Sequence, residues 1–126
     1  MTWRIRSGNP ELTPSDRSLM VSVLEHFNGK RYELDAYVVM NDHVHVLCRP
    51  KEGFRLETIL HSWKSFSSKR IGPGEGIRGG VWQDEYFDRI VRDEAEWVEK
   101  VQYISNNPRK RWPELQEYPW VSPVGS

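Results

Sequence analysis

Along the chain, apolar residues recur with period two in some stretches and at helical spacing in others, and the two patterns take turns. "TWRIR" sets Trp3 and Ile5 against Thr2, Arg4 and Arg6, which predicts a half-buried strand at residues 2–6. Thr13 then precedes Pro14, with Asp16 three residues on. A capping oxygen, a proline at the first helical position and an early acid mark a helix start. Leu19, Met20, Val23, Leu24 and Phe27 give this helix its apolar face, and Gly29 ends it. "RYELDAYVVM" (31–40) places Tyr32, Leu34, Ala36, Val38 and Met40 on one face of a second strand, and "HVHVLCR" (43–49) is a third. Only Asn41 and Asp42 lie between them, so a tight hairpin is expected. Leu56, Ile59, Leu60 and Trp63 predict a second amphipathic helix over 54–70.

The remainder is less regular. "GPGEGIRGG" (72–80) holds five of the nine glycines, resists both helix and strand, and lacks the spacing of a phosphate-cradling loop; it reads as a flexible connector. "VWQDEYF" (81–87) predicts another strand, and "RDEAEWVEKVQYISNN" (92–107) a third helix, acidic at its start and closed by Pro108. The proline- and tryptophan-rich residues 108–126 read as an ordered tail lying on the surface. Strand, helix, strand, strand, helix, strand, helix implies an α+β fold: a ferredoxin-like antiparallel sheet with packed helices, in one domain spanning 1–126.

Composition narrows the picture without deciding it. With 18 basic and 18 acidic residues the formal charge is zero, so a nucleic-acid partner would have to be held by local patches. The single cysteine, Cys48, makes no internal disulfide and suits a reducing cytoplasm, where the protein is expected to reside. No apolar run approaches the ~18 residues of a membrane span, so no membrane association is expected.

The candidate chemistry begins with "VMNDHVHVL" (39–47). His43 and His45 project to the same strand face, ~7 Å apart along the backbone, while Val44, Val46 and Cys48 project to the other. Either each imidazole is a hydrogen-bonded strand residue, or the two converge on a metal ion. Two imidazoles are too few ligands for a stable site, so a metal would need a third group from elsewhere. On the third helix the apolar stripe is Trp97, Val98, Val101 and Ile104, and Tyr103 falls off it beside Glu96, Lys100 and Asn107. Tyr103 and Asn107, four apart, are neighbours. A surface tyrosine and a helix-ending asparagine are the plain alternatives.

"VVMNDHVHVL", "HSWKSF", "VWQDEYFDRIVRD", "VQYISNNP" and "YPW", in this order and at these separations, resemble the single-tyrosine HUH transposases of small bacterial insertion sequences, and most of all the REP-associated tyrosine transposases. The resemblance covers nearly the whole chain. It implies that His43, His45 and Asn107 bind a divalent metal, Mg²⁺ or Mn²⁺, and that Tyr103 is the nucleophile of a single-stranded DNA endonuclease and strand transferase working through a 5′-phosphotyrosine. It implies as partner single-stranded DNA with hairpin or palindromic repeat ends, a monomer or homodimer, and Tyr103 delivered by the chain's own helix. Where the family usually reads Met-Pro-Asn-His, this chain reads Met40, Asn41, Asp42, His43. Lys64, Lys69, Arg70, Arg89, Arg109, Lys110 and Arg111 are candidate phosphate contacts, and Trp63, Trp82 and Trp112 candidate platforms for unpaired bases.

Other uses of alternating histidines fit less well. A histidine-triad hydrolase needs a third histidine where Leu47 stands, and His-x-His amide hydrolases need a far longer barrel. The rival of a different class is a domesticated, non-cutting nucleic-acid-binding module of the same fold, which would have no need of the four residues.

Overall fold

The computed structural model describes residues 1–71, 80–88 and 90–122; most of the glycine-rich connector (72–79), Arg89 and residues 123–126 lie outside the described residues. Helix α1 (Pro14–His26) starts where the sequence places it. Thr13 and Asp16 form a reciprocal capping box, each side chain accepting from the other's backbone N–H. Strands β1 (Thr2–Arg4), β2 (Tyr32–Val39) and β3 (His43–Pro50) precede helices α2 (Leu56–Ile71) and α3 (Glu94–Arg111), and β4 (Val121–Ser122) follows. The expected tight hairpin joins β2 to β3, the Met40 N–H donating to the His43 carbonyl (2.8 Å).

The four strands form an antiparallel sheet in the order β1-β3-β2-β4. Its two faces carry separate apolar clusters. On one face α1 and α2 pack through Met20, Leu24, Leu60 and Trp63 onto Trp3, Tyr32, Val44 and Val46. On the other, Ile104 of α3 packs on Ala36, Val38, Met40 and Val121. The α+β expectation with helices packed on an antiparallel sheet is met.

Four details depart from the sequence pattern. The alternation over 32–40 predicts one face throughout, but a bulge between Leu34 and Ala36 resets the register. Tyr32 and Leu34 therefore join the α1/α2 cluster while Ala36, Val38 and Met40 turn to α3. Residues 81–87 run antiparallel along the free edge of β1 and its extension to Ile5, but their backbone pairing is confined to the isolated bridges Ile5–Trp82 and Thr2–Phe87. Five residues separate these points on one side against three on the other, so the ladder cannot be continuous. Pro108 does not close α3; the helix runs on to Arg111, with the Trp112 N–H donating to the Pro108 carbonyl (2.8 Å). Pro108 has no N–H to donate and its ring crowds the preceding turn, but the residue is buried, and its packing offsets that cost. Finally, the tail does more than lie on the surface. Its end is β4, pairing with Tyr37 and Val38 of β2, and the Tyr118 hydroxyl donates to the Val39 carbonyl.

Candidate active site

Register brings β1, β3 and α3 to one place. His43 and His45 lie opposite Arg4 and Thr2 of β1, and His45 lies opposite Val38 of β2, on the face that α3 covers. The two imidazoles meet edge to face with centroids 4.6 Å apart. Tyr103 of α3 stands edge to face against His45 at 5.4 Å, although the two are far apart in the chain. The tyrosine is 47 % exposed. His45, by contrast, is buried.

Each imidazole has its Nδ1 occupied by a neighbour. The Asp42 carboxylate accepts from His43 Nδ1 (2.6 Å) and is itself 3.7 Å from the Arg4 guanidinium. A carboxylate accepts only, so Nδ1 carries the proton of this bond and Nε2 is the ring nitrogen left for another partner. His45 Nδ1 is hydrogen-bonded to the Thr2 hydroxyl (2.7 Å). Burial first, then the neighbouring His43 and the cationic N-terminus, Arg4 and Lys100, push the His45 pKa down to about 3. It is a neutral imidazole throughout the physiological range, the protonation state a metal requires.

These donors fit a divalent cation: two imidazoles on one strand face, each oriented through Nδ1 by a second side chain, as metal-binding histidines commonly are. Among the described residues no group of three or more His, Cys, Asp and Glu side chains forms a cage. A further protein ligand would have to come from another residue type, and Asn107, buried one turn beyond Tyr103 on α3, is the candidate. Its burial departs from the sequence reading of the helix. The sequence sets Asn107 off the apolar stripe, whereas Trp97 and Val98 of that stripe are more than a third exposed. The helix buries its C-terminal half, where Ile104, Asn107 and Pro108 meet the sheet, and at its N-terminal end Trp97 donates to Asp35 of the bulge (3.2 Å).

Beside the histidines is a cavity of about 300 Å³, lined among others by Thr2, His45, Phe87, Asp88, Lys100 and Tyr103. The ammonium groups of Lys100 and Lys110 lie 5.8 and 5.9 Å from the Tyr103 ring centre. The Tyr103 phenol, the His45 imidazole and the Lys100 ammonium thus share one opening.

A family model described as "Transposase IS200 like" matches residues 12–107. The chain belongs to the IS200-like transposase family. No curated protein matches the sequence. Among solved structures, that of a REP-associated tyrosine transposase bound to a REP hairpin superimposes with a TM-score of 0.76, covering 96 % of this chain and 73 % of that one at 19 % identity. The fold is therefore that of the REP-associated tyrosine transposases.

The candidate DNA contacts of this transposase-family chain separate into different kinds. Trp63 and Trp82 are core residues, not stacking platforms: they are 2 % and 4 % exposed, and both indole N–H groups donate internally, to the Tyr32 hydroxyl (3.0 Å) and the Ser67 hydroxyl (2.8 Å). Trp3 lies between them, 5.9 Å from one and 6.2 Å from the other. For Trp63 the helical spacing with Leu56, Ile59 and Leu60 was a core signal. Lys64 is half-buried and ties α2 to the 81–87 segment, donating to the carbonyls of Gln83 and Asp84. Lys69 and Arg70 are exposed at the end of α2, Arg70 lying over Phe66 (3.6 Å). Arg109, Lys110 and Arg111 are exposed on the last turn of α3, with Arg111 5.3 Å from the ring of Trp112, which itself stacks on Tyr118 (5.7 Å). Arg89 lies outside the described residues. Thr2 and Asp88 were not singled out in the sequence as site residues. Only the three-dimensional register brings them to the histidines, although Asp42 directly preceding His43 was a visible hint.

Proposed function

We propose that the protein is a metal-dependent single-stranded DNA endonuclease and strand transferase, acting in transposition or repeat-element mobilisation through Tyr103. The observation that carries this reading is the Tyr103 ring against His45, with His43 alongside, on one face of the sheet. A binding module has no use for an exposed phenol set against a buried His45 with a half-buried His43 beside it.

His43, His45 and the side-chain oxygen of Asn107 would hold Mg²⁺ or Mn²⁺. When bound, such an ion polarises a phosphodiester and stabilises the charge that builds on it. The chain's own residues do the rest. Thr2 and Asp42 hold the imidazole rings in place, and α3 carries the phenol to the open side. Lys100 and Lys110 offer positive charge to a phosphate approaching the Tyr103 hydroxyl. A free phenol, with a pKa of ~10, is a weak nucleophile at neutral pH, so this positioning matters. In the reaction the Tyr103 oxygen loses its proton and bonds to phosphorus while the bond from phosphorus to the 3′ oxygen breaks. That oxygen takes up a proton and leaves as a 3′ hydroxyl. The 5′-phosphotyrosine keeps the energy of the phosphodiester, so a second 3′ hydroxyl can reverse or redirect the step without nucleotide hydrolysis.

The similar solved structure holds a REP hairpin, which supports hairpin-bearing single strands as the substrate class. The test is cleavage of end-labelled DNA hairpins with unpaired flanks, taken from beside the protein's own coding sequence. Cutting that requires Mn²⁺ or Mg²⁺ and stops with EDTA is expected. Tight hairpin binding with no cutting under any metal would instead establish the non-catalytic module.

A further inference from the structure

Phe87 is the most exposed aromatic ring described, at 75 %, yet its backbone is held firmly. Its carbonyl accepts from the Thr2 N–H (2.8 Å) and its N–H donates to the Thr2 carbonyl (2.9 Å). Thr2 is also the residue bonded to His45 Nδ1. Pairing continues across the sheet, Thr2 opposite His45, His45 opposite Val38 and Val38 opposite Val121. One row thus runs from Phe87 through the histidine to the tail strand. Helix α3 packs over Val38 and Val121, and Tyr103 stands against His45; Phe87 is the uncovered end of the row. Its ring lines the same cavity as His45, Tyr103 and Lys100, and the neighbouring Tyr86 and Ile90 are exposed as well. An exposed apolar ring on a backbone held by two hydrogen bonds, beside an opening lined by Lys100 and Asp88, marks a contact surface.

We infer that Phe87 is a stacking platform for the unpaired base next to the scissile phosphate. The inference rests on the DNA-cleaving reading of the site. Of the possible occupants, a nucleotide offers a phosphate to the Lys100 ammonium and a base to the aromatic plane two strands from His45, with Asp88 on the same rim left to face its hydrogen-bond donors. Every base has a π-face, so Phe87 orients the strand at the nucleophile and leaves sequence discrimination to other groups. Its rigid attachment to Thr2 couples the position of that base to the position of His45.

The experiment uses Tyr103→Phe protein, which keeps the ring and loses the attacking oxygen, with a fluorescein-labelled DNA hairpin bearing randomised unpaired flanks. In this background Phe87→Ala is expected to weaken binding about ten-fold, Phe87→Leu to behave like alanine, and Phe87→Trp to retain affinity. An abasic residue stepped through the flanks should weaken binding at one position in the Phe87 protein and cost nothing further there in the alanine variant. Alanine and parent proteins binding equally, or both losing the same affinity at every abasic position, would overturn the inference. So would sedimentation showing a dimer that Phe87→Ala dissociates with DNA affinity unchanged, since the ring would then serve a second copy of the chain. Wild-type cleavage of the hairpin alongside any of these results leaves the DNA-cleaving reading standing and removes only the role of Phe87. Absence of both binding and cleavage removes the two together. Phe87 is largely exposed, so its variants should melt like the parent, and a matching melt confirms that the affinities compare folded proteins.

Discussion

At the residue scale the site depends on side chains that hold other side chains. Asp42 and Thr2 each occupy one ring nitrogen of a histidine, and orienting partners of this kind are typically worth about 10- to 100-fold in metal affinity. Asp42→Ala and Thr2→Val should therefore weaken Mn²⁺ binding by about that factor in isothermal titration, while His43→Ala or His45→Ala should remove measurable binding. Unchanged affinity in the histidine variants would exclude them as ligands. Cys48 gives a separate check on the sheet's other face. Burial pushes its thiol up to about 11, so very little thiolate is present near neutrality. Alkylation by iodoacetamide at pH 8 should be at least about 100-fold slower in the folded protein than in urea. Rapid labelling of the native protein would mean that the strand is more open than described. That His43 and His45 share one face, and Tyr103 and Asn107 another, was legible in the sequence because period two and period 3.6 fix such neighbours; their roles rest on the family resemblance. The arrival of Thr2 and Asp88 was not legible, because strand pairing and helix docking, which no local pattern encodes, bring them to the site.

At the element scale α3 is the piece that makes the site. Asp93 caps its start, the carboxylate accepting from the Glu96 N–H (2.8 Å), and Ile104 anchors its buried half. Asp93→Ala should cost about 1 kcal/mol and Ile104→Ala about 3 kcal/mol of stability, read from urea unfolding. An Ile104→Ala protein as stable as the wild type would contradict the docking of α3 on Ala36, Val38 and Met40. Helix starts were readable because caps are local chemistry, as the Thr13–Asp16 box shows. The bulge at Asp35 was not, since alternation of apolar residues continues unbroken across it and only the partner strand reveals the reset register. β4 was hidden for a related reason. Two paired residues are too short a strand to announce a period, and their place is set by β2 and by Tyr118.

For the molecule as a whole, the central relation is that one chain holds both the imidazole pair and the phenol. With Tyr103 5.4 Å from His45 of its own chain, the geometry favours delivery in cis. Mixing Tyr103→Phe with the double variant His43→Ala, His45→Ala should restore no cleavage, whereas recovered cleavage would mean that partner copies exchange helices. The neutral overall charge suits a protein that grips DNA locally, through the cations around α3, and salt should weaken binding with a correspondingly shallow slope. The most direct test of the account is the covalent intermediate itself. Wild-type protein is incubated with Mn²⁺ and a flanked DNA hairpin labelled on the 3′ side of the cut, then resolved under denaturing conditions and digested for mass spectrometry. The account predicts a labelled protein band whose nucleotide-bearing peptide carries the modification on Tyr103, absent from Tyr103→Phe and from the histidine variants. An adduct that persists in Tyr103→Phe, or metal-dependent cutting with no protein-linked DNA at any time, would contradict it.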